Sequence, residues 1–192
     1  MSRLVLGIGV NDIGSTGYRK EYDSWRGILR RCYDPNHKSI NPAYDGVTCN
    51  THWFNFSYFL NDIKNMTGYD KYLIDDWCVD KDILFKGNRE YSNDKCCLIP
   101  RAINSLFTNR RNFRGQYPVG VTWIERDNKF ISQLSIGGKQ KILGYFNSPI
   151  DAFEVYKYHK ECEIKRIAEI FKSDLDEKVY LAMINWVVEI DD

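Results

Sequence analysis

The chain has 192 residues, 43% of them apolar and 28% charged, with a formal net charge of +1 at pH 7. That balance fits a globular protein of one or two domains and excludes a disordered chain, and 15% aromatic residues give small domains bulk for a core. The longest apolar runs span only a few residues, which excludes a transmembrane helix, and MSRLVLGIGVND has no cleavage-site pattern, so a cytoplasmic protein is expected.

Tyr18–Tyr33 reads as an amphipathic helix, with Tyr22, Trp25, Leu29 and Cys32 or Tyr33 on one face, ended by Asp34-Pro35-Asn36. A loop rich in Asn and Pro and a turn at Tyr44-Asp45-Gly46-Val47 lead to a short strand. A second helix is expected from about Thr51 to Met66, with Trp53, Phe56, Phe59, Leu60 and Ile63 as its apolar face and Thr67-Gly68 as its close. Residues 79–107 then read as strand (Val79–Leu84), turn (Phe85–Tyr91, on Lys86-Gly87-Asn88), strand (Cys96–Ile99) and a helix opened by Pro100.

Three strands follow, Val119–Ile124, Phe130–Ile136 and Gln140–Phe146, with turns at Arg126-Asp127-Asn128 and Gly137-Gly138, the second a strong hairpin signal. Ser148-Pro149 opens a long helix with Ala152, Phe153, Tyr156, His159 or Lys160, Ile164, Ile167 and Phe171 along one side. A last helix is predicted from Ser173-x-x-Asp176, with the stripe Val179, Met183, Trp186, Val187 and Ile190. The expected fold class is α+β. An N-terminal helical region with a strand–strand–helix unit precedes a three-stranded antiparallel sheet packed on one helix, then a C-terminal helix. The corresponding boundaries are 1–113, 114–172 and an acidic 173–192.

Of the six cysteines, Cys32, Cys49, Cys78 and Cys162 stand alone and Cys96-Cys97 are adjacent, so no C-x-x-C pair exists; His37, His52 and His159 supply no H-x-x-x-H pair. Reduced, buried thiols are expected and structural zinc is not. Charge is uneven along the chain. Residues 101–145 carry Arg101, Arg110, Arg111, Arg114, Arg126, Lys129, Lys139 and Lys141 against Glu125 and Asp127, whereas 173–192 is acidic. A basic middle with an acidic tail suits a polyanion-binding surface partly shielded by the tail, although balanced proteins also carry such local excursions. The run from Thr108 to Arg114, with arginines interleaved with Phe107 and Phe113, suits phosphate and base contact, or equally a solvated helix end plus linker.

Gly120-Val121, Phe130 with Leu134, Leu143-Gly144-Tyr145-Phe146 and the helix Asp151-Ala152-Phe153…Tyr156 fall in an order that resembles the AP-two, or ethylene-response-factor, type of DNA-binding domain. The resemblance implies a three-stranded sheet in the major groove whose exposed face reads bases. Matched to that family, the exposed face carries Val119, Thr122, Ile124, Ile131, Gln133, Ser135, Gln140, Ile142 and Tyr145, while Phe130, Leu134, Leu143 and Phe146 face the helix. The family's base-reading arginines are absent from most matched positions. Gln133 and Gln140 remain as adenine readers, and Arg126, Lys129, Lys139 and Lys141 lie at turns and edges suited to phosphate. Such a Thr-, Ile- and Tyr-bearing face also suits a protein partner.

Upstream, YDSWRGILRRCYDPNH, YDGVTCNTHWFNFSYFL and VDKDILFKGNREYSNDKCCLIPRAIN resemble phage-encoded, homing-endonuclease-like proteins of the HNH type. The resemblance implies a strand–loop–strand–helix that holds one divalent cation, Mg²⁺ or alternatively Mn²⁺, and cuts a phosphodiester in the cytoplasm of an infected host. On that match Asp80 is a metal ligand, Lys81 stands where the family has its His base, Asn88 orients the loop and Asn104 takes the helix ligand position. Asp82 adds a second carboxylate on the face of Asp80, by the two-residue strand period. Lys81 at an ordinary pKa is no general base at pH 7 but suits phosphate; His37 and His52 are the remaining base candidates. Read without the resemblance, Asp80-Lys81-Asp82 is a solvated strand edge and the two histidines are structural or surface residues.

The function implied is metal-dependent nicking of double-stranded DNA, with duplex binding by the C-terminal domain. The rival is a catalytically degenerate scaffold that binds DNA or a host protein as a regulator or defence inhibitor, which Lys81 in place of His favours. A third reading, assembly through aromatic surface, is opposed by the basic window.

Overall fold

The structure is a computed structural model and describes residues 4–108 and 115–192. Helix α1 (Arg19–Tyr33) buries Trp25, Ile28, Leu29 and Cys32, the three- and four-residue spacing of one helical face. The Trp25 indole N–H donates to the Trp53 carbonyl at 2.7 Å. Directly after α1, where a loop was expected, a second helix begins. The Asp34 N–H bonds back to Arg30, its carboxylate accepts from Asn36 N–H at 3.0 Å, and Pro35 opens α2 (Pro35–Ile40). One residue thus ends one helix and caps the next.

The helix predicted over Thr51–Met66 divides at Asn55. Thr51–Phe54 is a 3₁₀ turn, Asn55 is extended, and α3 runs Phe56–Lys64. The physical reason lies in the N-terminal segment. Val10 N–H donates to the Phe54 carbonyl and Phe56 N–H to the Val10 carbonyl, so the backbone between them is extended. That segment lies so close to α1 that a Cβ on Gly9 would stand 2.5 Å from Leu29 Cδ1. Rings of Tyr22, Trp25 and Phe56 meet at 5.3–5.6 Å. A short helix that periodicity did not announce, α4 (Tyr69–Ile74), follows Gly68, whose φ of +87° suits glycine alone.

Two small sheets complete this region. Strand β1 (Thr48–Cys49) runs parallel to β3 (Glu90–Tyr91), and β2 (Trp77–Asp80) runs antiparallel to β4 (Cys97–Pro100), with Asp80 opposite Cys97; α5 (Arg101–Phe107) follows directly. The strand predicted over Val79–Leu84 therefore starts two residues earlier and stops at Asp80. The carboxylate of Asp80 accepts the N–H groups of Asp82 and Ile83 and folds the chain into a turn. Asp82 consequently does not share a strand face with Asp80, and the two-residue period does not apply to it.

The sheet β5 (Val121–Ile124), β6 (Lys129–Ile136) and β7 (Lys139–Phe146) is antiparallel in sequence order and packs on α6 (Pro149–Phe171). Asn128 turns the first connection at φ +49°; Gly137 and Gly138 turn the second, both at positive φ as a tight hairpin demands. Ser148 Oγ accepts from Ile150 and Asp151 N–H with Pro149 in the first position, as predicted. Ala152, Phe153, Tyr156, Ile164 and Ala168 are buried along α6. The turn that leads into β5 approaches the helix so closely that a Cβ on Gly120 would fall 2.0 Å from the Tyr156 ring. The last helix, α7, is Glu177–Ile184 and is capped by Asp176, whose Oδ1 accepts from Lys178 N–H, not by Ser173. Val179 and Met183 of the predicted stripe are buried in it, whereas Trp186, Val187 and Ile190 come after its end.

The chain thus has the expected α+β fold. By contacts it groups into two units, Met1–Phe107 with Asp174–Val179 and Thr108–Ser173 with Tyr180–Asp192. Among the described residues no helix is long and apolar enough to cross a membrane.

Candidate functional site

The segment from Asp80 to Tyr91 leaves β2 and returns as β3, and polar side chains stitch it closed. Asp80, 7% exposed, spends Oδ1 on the N–H groups of Asp82 (2.9 Å) and Ile83 (2.8 Å), while its Oδ2 makes no hydrogen bond among the described residues. Burial pushes this carboxyl above the ordinary Asp range, against the lowering effect of the Ile83 N–H. Lys81 and Asn88 hold each other across the loop. Lys81 Nζ donates to the Asn88 carbonyl at 2.8 Å and Asn88 Nδ2 donates to the Lys81 carbonyl at 2.8 Å. The same amide donates to the Glu90 carbonyl and accepts from Glu90 N–H, and Lys81 also pairs with Asp82. Three side-chain bonds of Asn88 thus set the path of the chain from turn to strand.

Asn104 on α5 donates Nδ2 to Cys78 Sγ at 3.4 Å. Cys78 lies two residues before Asp80 on β2, so the Asn104 amide meets the strand face that carries Asp80. The structure thus brings together Asp80, Lys81, Asp82 and Asn88 in one loop and turns Asn104 to the strand that feeds it. Nearby, Cys96, Cys97 and Cys49 are buried and Cys78 half-buried; burial pushes the Cys96 thiol up to about 12, and Cys97 and Cys49 higher still, which favours the protonated thiol.

The two histidines have partners of their own. His37 Nδ1 lies 3.4 Å from Arg30 Nη2 and its ring 5.5 Å from that of Tyr44; burial, then Arg30 and Arg31, push its pKa down. His52 stacks on Tyr58 at 4.6 Å, with Nε2 3.6 Å from Asp62. Among the described residues neither bonds to the Asp80 loop. Arg101 pairs with Asp76 in an exposed ion pair at 2.9 Å.

In the sheet, register assigns the faces. Thr122 stands opposite Ile131 and Ile131 opposite Tyr145, Gln133 opposite Ile142, and Ser135 opposite Gln140, so these share the face away from the buried Val121, Ser132 and Leu134. Gln133 Nε2 donates to Thr122 Oγ1 along it at 3.0 Å. Ile142 and Tyr145 are about half exposed there, at 51% and 54%, and Ile131 is covered. Leu143 is the unpaired residue of a bulge that breaks the register at Ser132 and Gln133. Lys139 and Lys141 stand exposed on the edge strand β7, Lys129 bonds Asn147, and Arg126 forks onto Asp127 at 2.7 and 3.0 Å. Arg110, Arg111 and Arg114 lie outside the described residues.

Two groups that sequence did not single out also border the loop. Tyr91, at its end, receives the Arg31 Nε–H on its hydroxyl at 3.0 Å, and Lys81 Nζ lies 5.8 Å from its ring centroid. The nearest sequence signal was the Arg30-Arg31-Cys32-Tyr33 end of α1, which does not say which arginine turns inward. No protein-family model, no curated protein and no solved structure matches this chain.

Proposed function

We propose that the chain is a DNA-binding protein of the HNH endonuclease type that nicks duplex DNA with a divalent cation, and that the β5–β6–β7 sheet supplies duplex binding. The single observation that carries this reading is the Asp80–Tyr91 loop. A strand ends in a buried carboxylate with one oxygen unspent, an asparagine orders the return, and a helix follows with its own amide turned to the same strand. Hard oxygen donors of this kind fit Mg²⁺ or Mn²⁺, which needs one or two carboxylates beside water and phosphate oxygens. Asp80 and Asn104 would hold the cation, whose chemistry when bound is to stabilise charge on the phosphate in the transition state. Asn88 keeps the loop in place, and Lys81, fixed by Asn88 and Asp82, adds positive charge beside it. The sheet supports the second part of the reading: its exposed face carries Thr122, Gln133, Ser135 and Gln140 and no acidic residue, with Lys129 on the same side opposite Ile124, whereas Lys139 and Lys141 pair with Ile136 and Leu134 on the other face.

Supercoiled-plasmid cleavage with Mg²⁺ or Mn²⁺ tests it, comparing wild type, Asp80→Ala and an EDTA control. Nicking that needs both the metal and Asp80 is the expected outcome. A second reading has its own observation: Lys81 stands in the base position and spends its ammonium inside the loop. On that reading the scaffold binds duplex DNA, or a host protein, without cutting. Salt-sensitive duplex binding without nicking would favour it.

A further inference from the structure

Beside the Asp80 loop, cations converge on two tyrosines. Arg31 is partly buried; its Cζ lies 5.4 Å from the Tyr91 ring centroid and 6.0 Å from that of Tyr44. Only its Nε–H is spent, on the Tyr91 hydroxyl; the four remaining N–H groups make no hydrogen bond among the described residues, and no carboxylate there pairs with it. Lys81 approaches the same Tyr91 ring. Arg89 Nη1 donates to the carbonyls of Ala43 and Asp45, the residues on either side of Tyr44. Arg31, Lys38 and Lys81 all act on the buried Cys32 thiol, which burial pushes up to about 11 against their pull. The neighbouring acids are committed elsewhere: Asp34 caps α2, Asp82 pairs with Lys81 and Glu90 with Lys95.

The Nη groups of Arg31 are not among the buried unpaired atoms of the described residues, so they are open to a ligand, and an anion that joins them in this part-buried setting makes a charge-assisted contact. The planar guanidinium fork, oriented by one bond and by aromatic faces, matches two oxygens of a phosphate. We propose that Arg31, held by Tyr91 and Tyr44 and backed by Lys81 and Arg89, is the seat of a phosphate oxyanion, supplied by the backbone of the duplex. The oxyanion chemistry follows from Arg31 and its surroundings; the duplex as its source rests on the function proposed above.

The test is duplex binding by Arg31→Met, which keeps the apolar stem, beside the wild type over a range of salt, with folding checked by thermal melting. Affinity is expected to fall about tenfold, and the slope of log K against log salt by about one. A second measurement needs no variant to fold well. The Arg31 Nε–H resonance of wild-type protein, assigned by its loss in Arg31→Lys, is expected to move when a short duplex is added. A folded Arg31→Met with unchanged affinity and slope, and a resonance that answers neither duplex nor inorganic phosphate, overturns the proposal; where the two measurements differ, the resonance decides. Movement with inorganic phosphate alone keeps the oxyanion seat and assigns it to free phosphate. Failure is separable from failure of the nuclease reading: Asp80-dependent nicking with a silent resonance removes the seat only. Absence of all duplex binding with a response to phosphate removes the duplex reading only.

Discussion

The Asp80–Tyr91 loop and the β5–β6–β7 sheet present polar groups by opposite means. The sheet is held by main-chain ladders eight residues long in β6 and β7, and its exposed side chains decorate a frame that does not need them. The loop lies between strands of four and two residues, and its path depends on the side chains of Asp80, Lys81 and Asn88 bonding to main chain. The lesson is that the same residue type, an amide, is structural in one place and ornamental in the other. A binding face on a ladder tolerates substitution, whereas a site on a stitched loop loses geometry when one stitch goes.

The largest effect expected from this contrast is that of Asn88→Ala. It leaves the carbonyls of Lys81 and Glu90 without their donor in a partly buried loop, and should lower stability by about 2–3 kcal/mol in urea denaturation. A middle-sized effect belongs to the sheet's helix. Arg166 donates two bonds to Glu163 and holds its carboxyl below the ordinary 4.5. A depressed folded value means that the stabilisation is present above 4.5 and is lost as pH falls through the folded pKa. Glu163→Gln should therefore flatten the acid limb of a stability–pH profile and change stability at neutral pH by about 1 kcal/mol or less, because Arg166 is half exposed. The smallest effect is that of Gln133→Ala, within about 0.5 kcal/mol by the same denaturation. Its duplex affinity should drop by about 1 kcal/mol if the face reads bases. An Asn88→Ala protein as stable as wild type, or a Gln133→Ala protein that unfolds, would break the comparison.

What was legible in the sequence follows the same division. The sheet and its helix announce themselves through local signals: period-two alternation, Gly137-Gly138 and Ser148-Pro149, each acting within a few residues. In the first unit the signals were local but the deciding contacts were not. The break at Asn55 is made by Val10, and the end of β2 by a carboxylate that reads in sequence as one more strand residue. Helix α4 is six residues long, too short for a stripe to stand out. Asp80, Lys81 and Asn88 were legible together because nine residues of chain hold them. Arg31 was not, since its partner Tyr91 is 60 residues away and nothing in an Arg30-Arg31 pair tells which one turns inward.

The parallel pairing of Thr48–Cys49 with Glu90–Tyr91 has a consequence for the order of assembly. The hydrogen bonds that seat Tyr91 join its carbonyl to Asn50 N–H, 41 residues away, and its hydroxyl to Arg31, 60 residues away, so closing them sacrifices chain entropy that neighbouring contacts must first offset. The hairpins of the sheet close over a few residues and carry no such debt. Tyr91 is therefore expected to meet Arg31 after α1 and the rings of Trp25 and Phe56 have gathered, so that in pulsed hydrogen exchange the Tyr91 segment gains protection later than α1.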